Sequence, residues 1–483
     1  MFPIISDKNK ELPDVAEFVE KLSVFQQGAE FFDAEKEIFI SRAPGRLDLM
    51  GGIADYSGSL VLQYPIREAT LCGLQKDSAP KISVVSLLSE TENFRSFEIS
   101  LERLQSGDLG DYKAAREFFQ TDAENHWTAY IAGIFAVLSR ELNINLTEGA
   151  RVFISSNVPE GKGVSSSAAL EVAVMQAVNS AFDLNLNPRE LALLCQKTEN
   201  EIVGAPCGVM DQMVSAGGEA GKLLALLCQP AELKGTIYLP DEIEIWGIDS
   251  GIRHSVAGAD YGSVRAGAFI GYRIIAEIAG LKVENLENNL VEITDEKWRG
   301  FLANITPEEF ENDFKSKLPE KIGGREFLEK YHGTTDKITV INAEKEYAVI
   351  APTAHPIYEN YRVRKFAKIL SEKVSESNLK DLGELMYGSH AGYSACGLDS
   401  DGTDLLVELV KQTGNGLYGA KITGGGSGGT VAVLGRQGAG ASVTAIAEKY
   451  ARETGRKPQI FSGSSSGAAK FGFRILPALH KNY

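Results

Sequence analysis

Between Pro159 and Ala173 the chain reads PEGKGVSSSAALEVA. The preceding RVFISSNVP has the β-branched and aromatic content of a strand, and the following AALEVAVMQAVNSAF that of a buried helix. A strand that turns through glycines and serines into a helix gathers unpaired backbone N–H groups at the positive end of the helix dipole, a physical basis for holding phosphate. The serine hydroxyls either cap the helix or meet phosphate oxygens and Mg²⁺. GxxxxGK[ST] is absent, and Gly221-Lys222 is followed by leucine, so this is not a Walker A loop. Such a segment requires a fold of mixed α and β structure.

Two further glycine clusters stand far away, APGRLDLMGGIADYSGS at 43–59 and TGGGSGG at 423–429. Glycine permits close approach of backbone to a ligand. Three such segments without a Rossmann GxGxxG after the first strand favour a nucleotide wrapped by backbone contacts. ENEIVGAPCGVMDQM supplies Glu199 and Asp211, carboxylates that can divide the tasks of holding a cation and accepting a proton. Asp211, flanked by Val209, Met210 and Met213, reads as buried and needs a partner. Arg46 is the natural candidate, and the pair would keep Asp211 ionised.

Composition narrows the function classes. A chain of 483 residues suits two domains, and a net charge of −16 argues against a nucleic-acid partner. Cys72, Cys195, Cys207, Cys228 and Cys396 are scattered without a CxxC and read as reduced core thiols. The N-terminus lacks a signal-peptide pattern and no apolar run approaches 18 residues, so a soluble cytoplasmic protein is expected. His126, His254, His332, His355, His390 and His480 show no metal-ligand spacing and read as structural or surface groups.

Along the chain, the patterns predict a helix over 13–32, a strand ending at Pro44, strands at 59–66, 69–75 and 81–88, and helices over 126–141 and 188–203. Strands near 222 and over 242–250 precede a helix over 260–280. Residues 285–350 read as an elaborated helical insertion with hairpins, 417–435 as strand, glycine turn, then strand or helix start, and 457–472 as a last strand with a flexible tail. A domain boundary near 225 divides 1–225 from 226–483.

APGRLDLMGG…ADYSG, PEGKGVSSSAALEVA and KITGGGSGG, in this order, resemble the three motifs of the galactokinase branch of the GHMP small-molecule kinases. CQKTENEIVGAPCGVMDQ and SGIRHSVAGADYGSVR are similar to two further galactokinase segments. The resemblance implies an α+β, two-domain GHMP kinase fold: an N-terminal ribosomal-protein-S5-like α/β domain, a C-terminal ferredoxin-like α+β domain and an active site in the cleft between them. It implies ATP and Mg²⁺ as cofactors. Asp211 would be the catalytic carboxylate and Arg46 its stabilising cation. Gly161, Lys162, Gly163, Val164, Ser165, Ser166 and Ser167, with Gly425 and Gly426, would hold ATP, Ser167 and Glu199 the Mg²⁺, and Asp55 and Tyr261 the sugar.

Galactokinases usually read GEHTDY where this chain has Gly51-Gly52-Ile53-Ala54-Asp55-Tyr56, and Asn where it has Asp48. L-Arabinopyranose has the ring configuration of D-galactopyranose with hydrogen in place of the hydroxymethyl group. Polar groups awaiting that hydroxyl would be left unpaired; Gly52 and Ile53 remove the mismatch. RLDLMGGIADYSGSLVLQYPIREA is similar to the L-arabinokinase subgroup, which implies phosphorylation of L-arabinose at its anomeric oxygen. Galactokinase activity and a non-catalytic sugar sensor stand as alternatives. The partners implied are a monosaccharide and ATP, with neither nucleic acid nor membrane, and a monomer is favoured.

Overall fold

The computed structural model describes residues 12–88, 93–253 and 259–478. After the helix Pro13–Ala29, one sheet takes β1 (Ile38–Met50), β2 (Leu60–Asp77), β3 (Lys81–Leu87), β4 (Phe94–Ser100), β5 (Gly149–Ser156), β6 (Lys222–Leu227) and β7 (Glu232–Tyr238). Its order runs from a strand at Arg474–Leu476 through β1, β2, β5 and β3 to β4, while β6 pairs the start of β2 and carries β7 outside it. Only β3 on β5 is parallel among these pairings.

The strand expected to end at Pro44 continues to Met50. Its register against β2 shifts between Pro44 and Arg46, opposite Ala69 and Pro65. Proline cannot donate a ladder hydrogen bond, and a bulge is where a strand accommodates it. The glycine segment 43–59 is therefore strand to Met50 and then a 3₁₀ turn over Gly52–Ser57. For the same reason the strands expected at 59–66 and 69–75 are one, β2, which runs through Pro65.

A second, antiparallel sheet orders Leu417–Ile422, Thr430–Arg436, β8 (Ile243–Asp249) and Ile460–Ser462. The TGGGSGG segment is the turn between its first two strands. The chain passes from one sheet to the other between Tyr238 and Ile243. The expected flexible tail instead folds back: Ala468–Phe471 is a helical turn and Arg474–Leu476 pairs with β1.

Helices Ala129–Leu142, Ser166–Ala181 and Pro188–Lys197 bury their apolar residues with those of the large sheet. Leu47, Leu62 and Val164 meet Ile245, Phe366, Ala432 and Phe461 in a core that joins the two sheets. Residues 282–349 form two small hairpin-like pairings, short helical turns and the helix Gly324–Tyr331. Their aromatic core, including Trp298, Phe310, Phe327 and Tyr347, packs with Tyr272 and Ile274 of the helix Ala259–Ile278. No described helix is long and apolar enough to cross a membrane. The five cysteines are free; Cys207 and Cys396 are half-buried rather than fully in the core.

Candidate active site

The phosphate-loop segment leaves β5 and enters the helix Ser166–Ala181 at Ser165, whose φ of +62° lies in the left-handed region. Its hydroxyl, expected as a helix cap, donates instead to Asp211 Oδ2 at 2.5 Å, and among the described residues no side chain caps this end. The helix start is thus left to a ligand, where its N–H groups and dipole favour an anion. Ser166 and Ser167 line a cleft with Gly161, Gly163, Gly424 and Gly425. A Cβ on Gly424 would stand 2.9 Å from the Gly163 carbonyl oxygen and 3.3 Å from Arg46 Nη2, so only a bare turn can lie against the phosphate loop here.

Arg46 is presented by β1 immediately after its bulge. Its Nε and Nη2 donate to the two carboxylate oxygens of Asp211, each at 2.8 Å, and its Nη1 donates to the Gly163 carbonyl at 2.7 Å. The Arg46 N–H donates to the Val164 carbonyl at 3.0 Å. A bidentate guanidinium–carboxylate pair fixes both groups in plane. Asp211 lies in the first turn of the helix Met210–Gly217, where the dipole also favours negative charge. The sequence suggested a buried carboxylate; its side chain is 23% exposed, because it faces the cleft.

Glu199 reaches the cleft from a π-helical turn, Thr198–Val203, that continues the helix Pro188–Lys197. Gln212 Nε2 donates to Glu199 Oε2 at 2.6 Å, and Cys207 Sγ lies 3.6 Å from the same oxygen. Burial raises the Glu199 carboxyl to about 7, opposed by a hydrogen bond from Ser167 and reinforced by the charge of Asp211. The groups that hydrogen-bond it, Ser167, Cys207 and Gln212, are neutral donors. A divalent cation beside Glu199 and Ser167 would restore the ionised carboxylate, so the donor set fits Mg²⁺, which takes one or two protein oxygens and completes its shell with phosphate and water. No group of three or more His, Cys, Asp or Glu able to hold a metal occurs among the described residues.

Across Asp211 lies the other half of the cleft, walled by Ile53, Asp55, Gly208 and Tyr261. Burial lifts the Asp55 carboxyl to about 7, with the Asp211 charge adding and Arg265 opposing. Gly208 lets Asp55 in: a Cβ there would lie 1.7 Å from Asp55 Oδ2. Behind this wall Arg265, whose guanidinium lies 5.4 Å from the Tyr56 ring centroid, makes a buried bidentate pair with Asp336, 2.8 Å on both arms, so the segment 282–349 backs the turn Gly52–Ser57.

Not every candidate faces the cleft. Lys162 turns to Asp249 of β8, 2.5 Å away, and Val164 lies in the core, contributing its carbonyl. Gly52 sits beneath the surface, its N–H donating to Asp48 Oδ1 at 2.9 Å. Asp48 is fully buried with Lys421 Nζ at 2.5 Å, and Gln63 Nε2 donates to it at 2.6 Å. This pairing explains a charged residue at position 48. Sequence reasoning missed Lys421, Arg265, Asp336, Cys207 and Tyr393; only Asp48, a charge inside the apolar run LDLM, signalled that a buried cation had to exist. His355 and His390 are structural, and His254 and His480 lie outside the described residues.

Family models match at three places: the GHMP kinases N-terminal domain at residues 129–219, the galactokinase galactose-binding signature at 29–76 and the GHMP kinases C-terminal domain at 370–453. The chain is 46% identical to an L-arabinokinase of Arabidopsis thaliana over 92% of its own length, and spans 47% of that relative. It is 29% identical to a galactokinase of Chloroflexus aurantiacus, over 87% of the chain and 90% of the relative. The galactokinase of Lactococcus lactis complexed with galactose superposes with a TM-score of 0.70 at 22% identity, covering 92% of this chain and 98% of that one. A mevalonate kinase of Methanococcus jannaschii gives 0.51 at 15% identity, over 89% and 98%. With the motif order, the two-sheet architecture and the cleft all in agreement, the chain belongs to the GHMP kinase family and carries its galactokinase-type signature.

Proposed function

We propose that the chain is an ATP-dependent sugar 1-kinase that phosphorylates L-arabinose. The observation that carries this reading is the place of Asp211: gripped by Arg46 and Ser165, it stands between an uncapped helix start on one side and Ile53, Asp55 and Tyr261 on the other. Asp55 and Tyr261 bind the sugar hydroxyls and turn the anomeric hydroxyl toward Asp211. Asp211 accepts the hydroxyl proton as that oxygen bonds to the γ-phosphorus and the bond to the bridging oxygen of ADP breaks, giving sugar 1-phosphate and ADP. Arg46 holds the carboxylate in place and balances charge that gathers during transfer. Ser167 and Glu199 would hold Mg²⁺, which would supply neutralisation of the phosphate oxygens.

Selectivity rests on Ile53. It is 1% exposed, packed with Tyr261, Val264 and Tyr393, and presents an apolar surface where a hydroxymethyl group would seek hydrogen bonds. The 46% identity to the plant L-arabinokinase supports this choice of sugar. Initial rates of ADP release with Mg-ATP and L-arabinose, D-galactose or D-fucose test it. L-Arabinose is expected to lead in kcat/KM by about 100-fold or more; D-galactose in first place would overturn the substrate assignment and leave the kinase reading standing. Asp211→Asn is expected to lower kcat about 10³-fold while sugar binding persists; a kcat within a few-fold of the unmodified chain would remove Asp211 from the chemistry.

A further inference from the structure

Resting on the reading of the cleft as a sugar 1-kinase site, we propose that Tyr393 is a positioning residue for sugar selection: its hydroxyl occupies the place of a side chain at position 52 and pins Ile53 against the C5 edge of the sugar. Tyr393 comes from the helix Glu376–Ala395, more than 300 residues after the sugar loop, and is completely buried. Its hydroxyl accepts from the Ile53 N–H at 3.1 Å and donates to the Gly424 carbonyl at 2.7 Å. One oxygen therefore ties the wall of the sugar pocket to the glycine turn that lies on the phosphate loop.

The same oxygen dictates residue 52. A Cβ added to Gly52 would fall 1.8 Å from Tyr393 Oη and 2.8 Å from Asp48 Oδ2. No side chain fits there while the tyrosine keeps its place, and Asp48 is itself held by Lys421. Lys421 Nζ lies 5.3 Å from the Tyr393 ring centroid and His355 stacks edge-on at 5.3 Å, so the ring is enclosed by groups that cannot easily yield. Ile53 in turn packs on Tyr393, Leu398 and Ile422. A polar side chain at position 52 and this tyrosine are mutually exclusive, which makes Tyr393 and Gly52 a matched pair that sets how far Ile53 projects.

Tyr393→Phe removes the hydroxyl and keeps the ring. In the full chain, kcat/KM with Mg-ATP and dissociation constants by calorimetry are measured for L-arabinose and D-galactose, together with Tm. The preference between the two sugars is expected to fall about tenfold, carried by sugar KM and dissociation constant rather than kcat, since a freed Ile53 N–H lets the wall recede. An unchanged preference overturns the proposal whatever happens to Tm, because a merely structural tyrosine would alter stability alone. Gly52→Ala pushes a methyl against the same hydroxyl and is expected to shift the preference in the unmodified background more than in Tyr393→Phe; equal shifts in the two backgrounds, or none, overturn it, and if Tyr393→Phe does not fold, an unchanged preference in Gly52→Ala alone overturns it and a fall of about tenfold upholds it. An unmodified chain that favours D-galactose refutes L-arabinose as substrate, yet a changed ratio in Tyr393→Phe still upholds the tyrosine's role. Dissociation constants keep the ratio readable without turnover, and a chain that binds neither sugar overturns both.

Discussion

The two halves of the cleft are built by different means. On the nucleotide side the surface is mostly backbone: an uncapped helix start and two glycine turns pressed together, with Lys162 directed away to Asp249. On the proposed sugar side the surface is side chains, Ile53, Asp55 and Tyr261, and behind it stand buried polar groups from distant segments: Tyr393 on Ile53, and the ion pairs Arg265–Asp336 and Lys421–Asp48. On the proposed reading, the nucleotide meets a fixed arrangement of amides, whereas the sugar is chosen by side chains whose placement depends on what lies behind them.

Breaking the support of the sugar side should give the largest loss of stability. Lys421→Met leaves Asp48 charged and buried and is expected to cost about 3–5 kcal/mol, read by urea denaturation. Adding Asp48→Asn should recover a large part; if the double variant is as unstable as the single one, the ion pair is not the source of the loss. Asp336→Asn weakens the grip on Arg265 and should raise sugar KM about tenfold by displacing the wall, with ATP KM nearly constant. An equal rise in both constants would erase the proposed division between the halves.

Acidity is a smaller lever, and it acts on both halves. Between pH 4 and about 7 the native Asp55 keeps a proton that the unfolded chain has released, so its contribution to stability is present at low pH and lost as pH rises through about 7. Glu199 acts in the same direction. Tm of the ligand-free protein should therefore fall from pH 5 to pH 8, and Asp55→Asn should flatten that slope. Sugar affinity should move oppositely over pH 6–8, by at most about tenfold per unit, if the ionised Asp55 accepts a sugar hydroxyl as proposed; calorimetry across this range checks it. Smallest of all, Ser166→Ala should change ATP KM by less than about threefold, since amides bear most of the contact; a loss of tenfold would make the nucleotide side as dependent on side chains as the other.

This division also explains what could be read in advance. The nucleotide side is encoded in contiguous glycines and serines, so Gly161 to Ser167 and the 423–429 turn were legible as loops, although Ser165 proved to hold Asp211 rather than the helix. Arg46 and Asp211 could be paired because a half-apolar carboxylate demands a cation. Tyr393 and Asp336 carry no local mark, and Lys421, although it opens KITGGGSGG, shows no partner there; only the tertiary fold brings each behind the turn Gly52–Ser57. Pro44 and Pro65 misled in the opposite sense, since a bulge let both strands continue where proline usually stops them.

The strand Arg474–Leu476 pairs with Ile38–Ile40, at the root of the same strand that presents Arg46. Ser465 hydrogen-bonds the Ile66 carbonyl and accepts from the buried Arg42. During synthesis the edge of β1 stays open until more than 430 further residues have emerged, so the first sheet is completed last. Such a contact closes a very long loop and slows productive folding. A chain cut after the matched C-terminal domain, at residue 453, would retain every candidate cleft residue and still expose a bare strand edge prone to pairing with its neighbours.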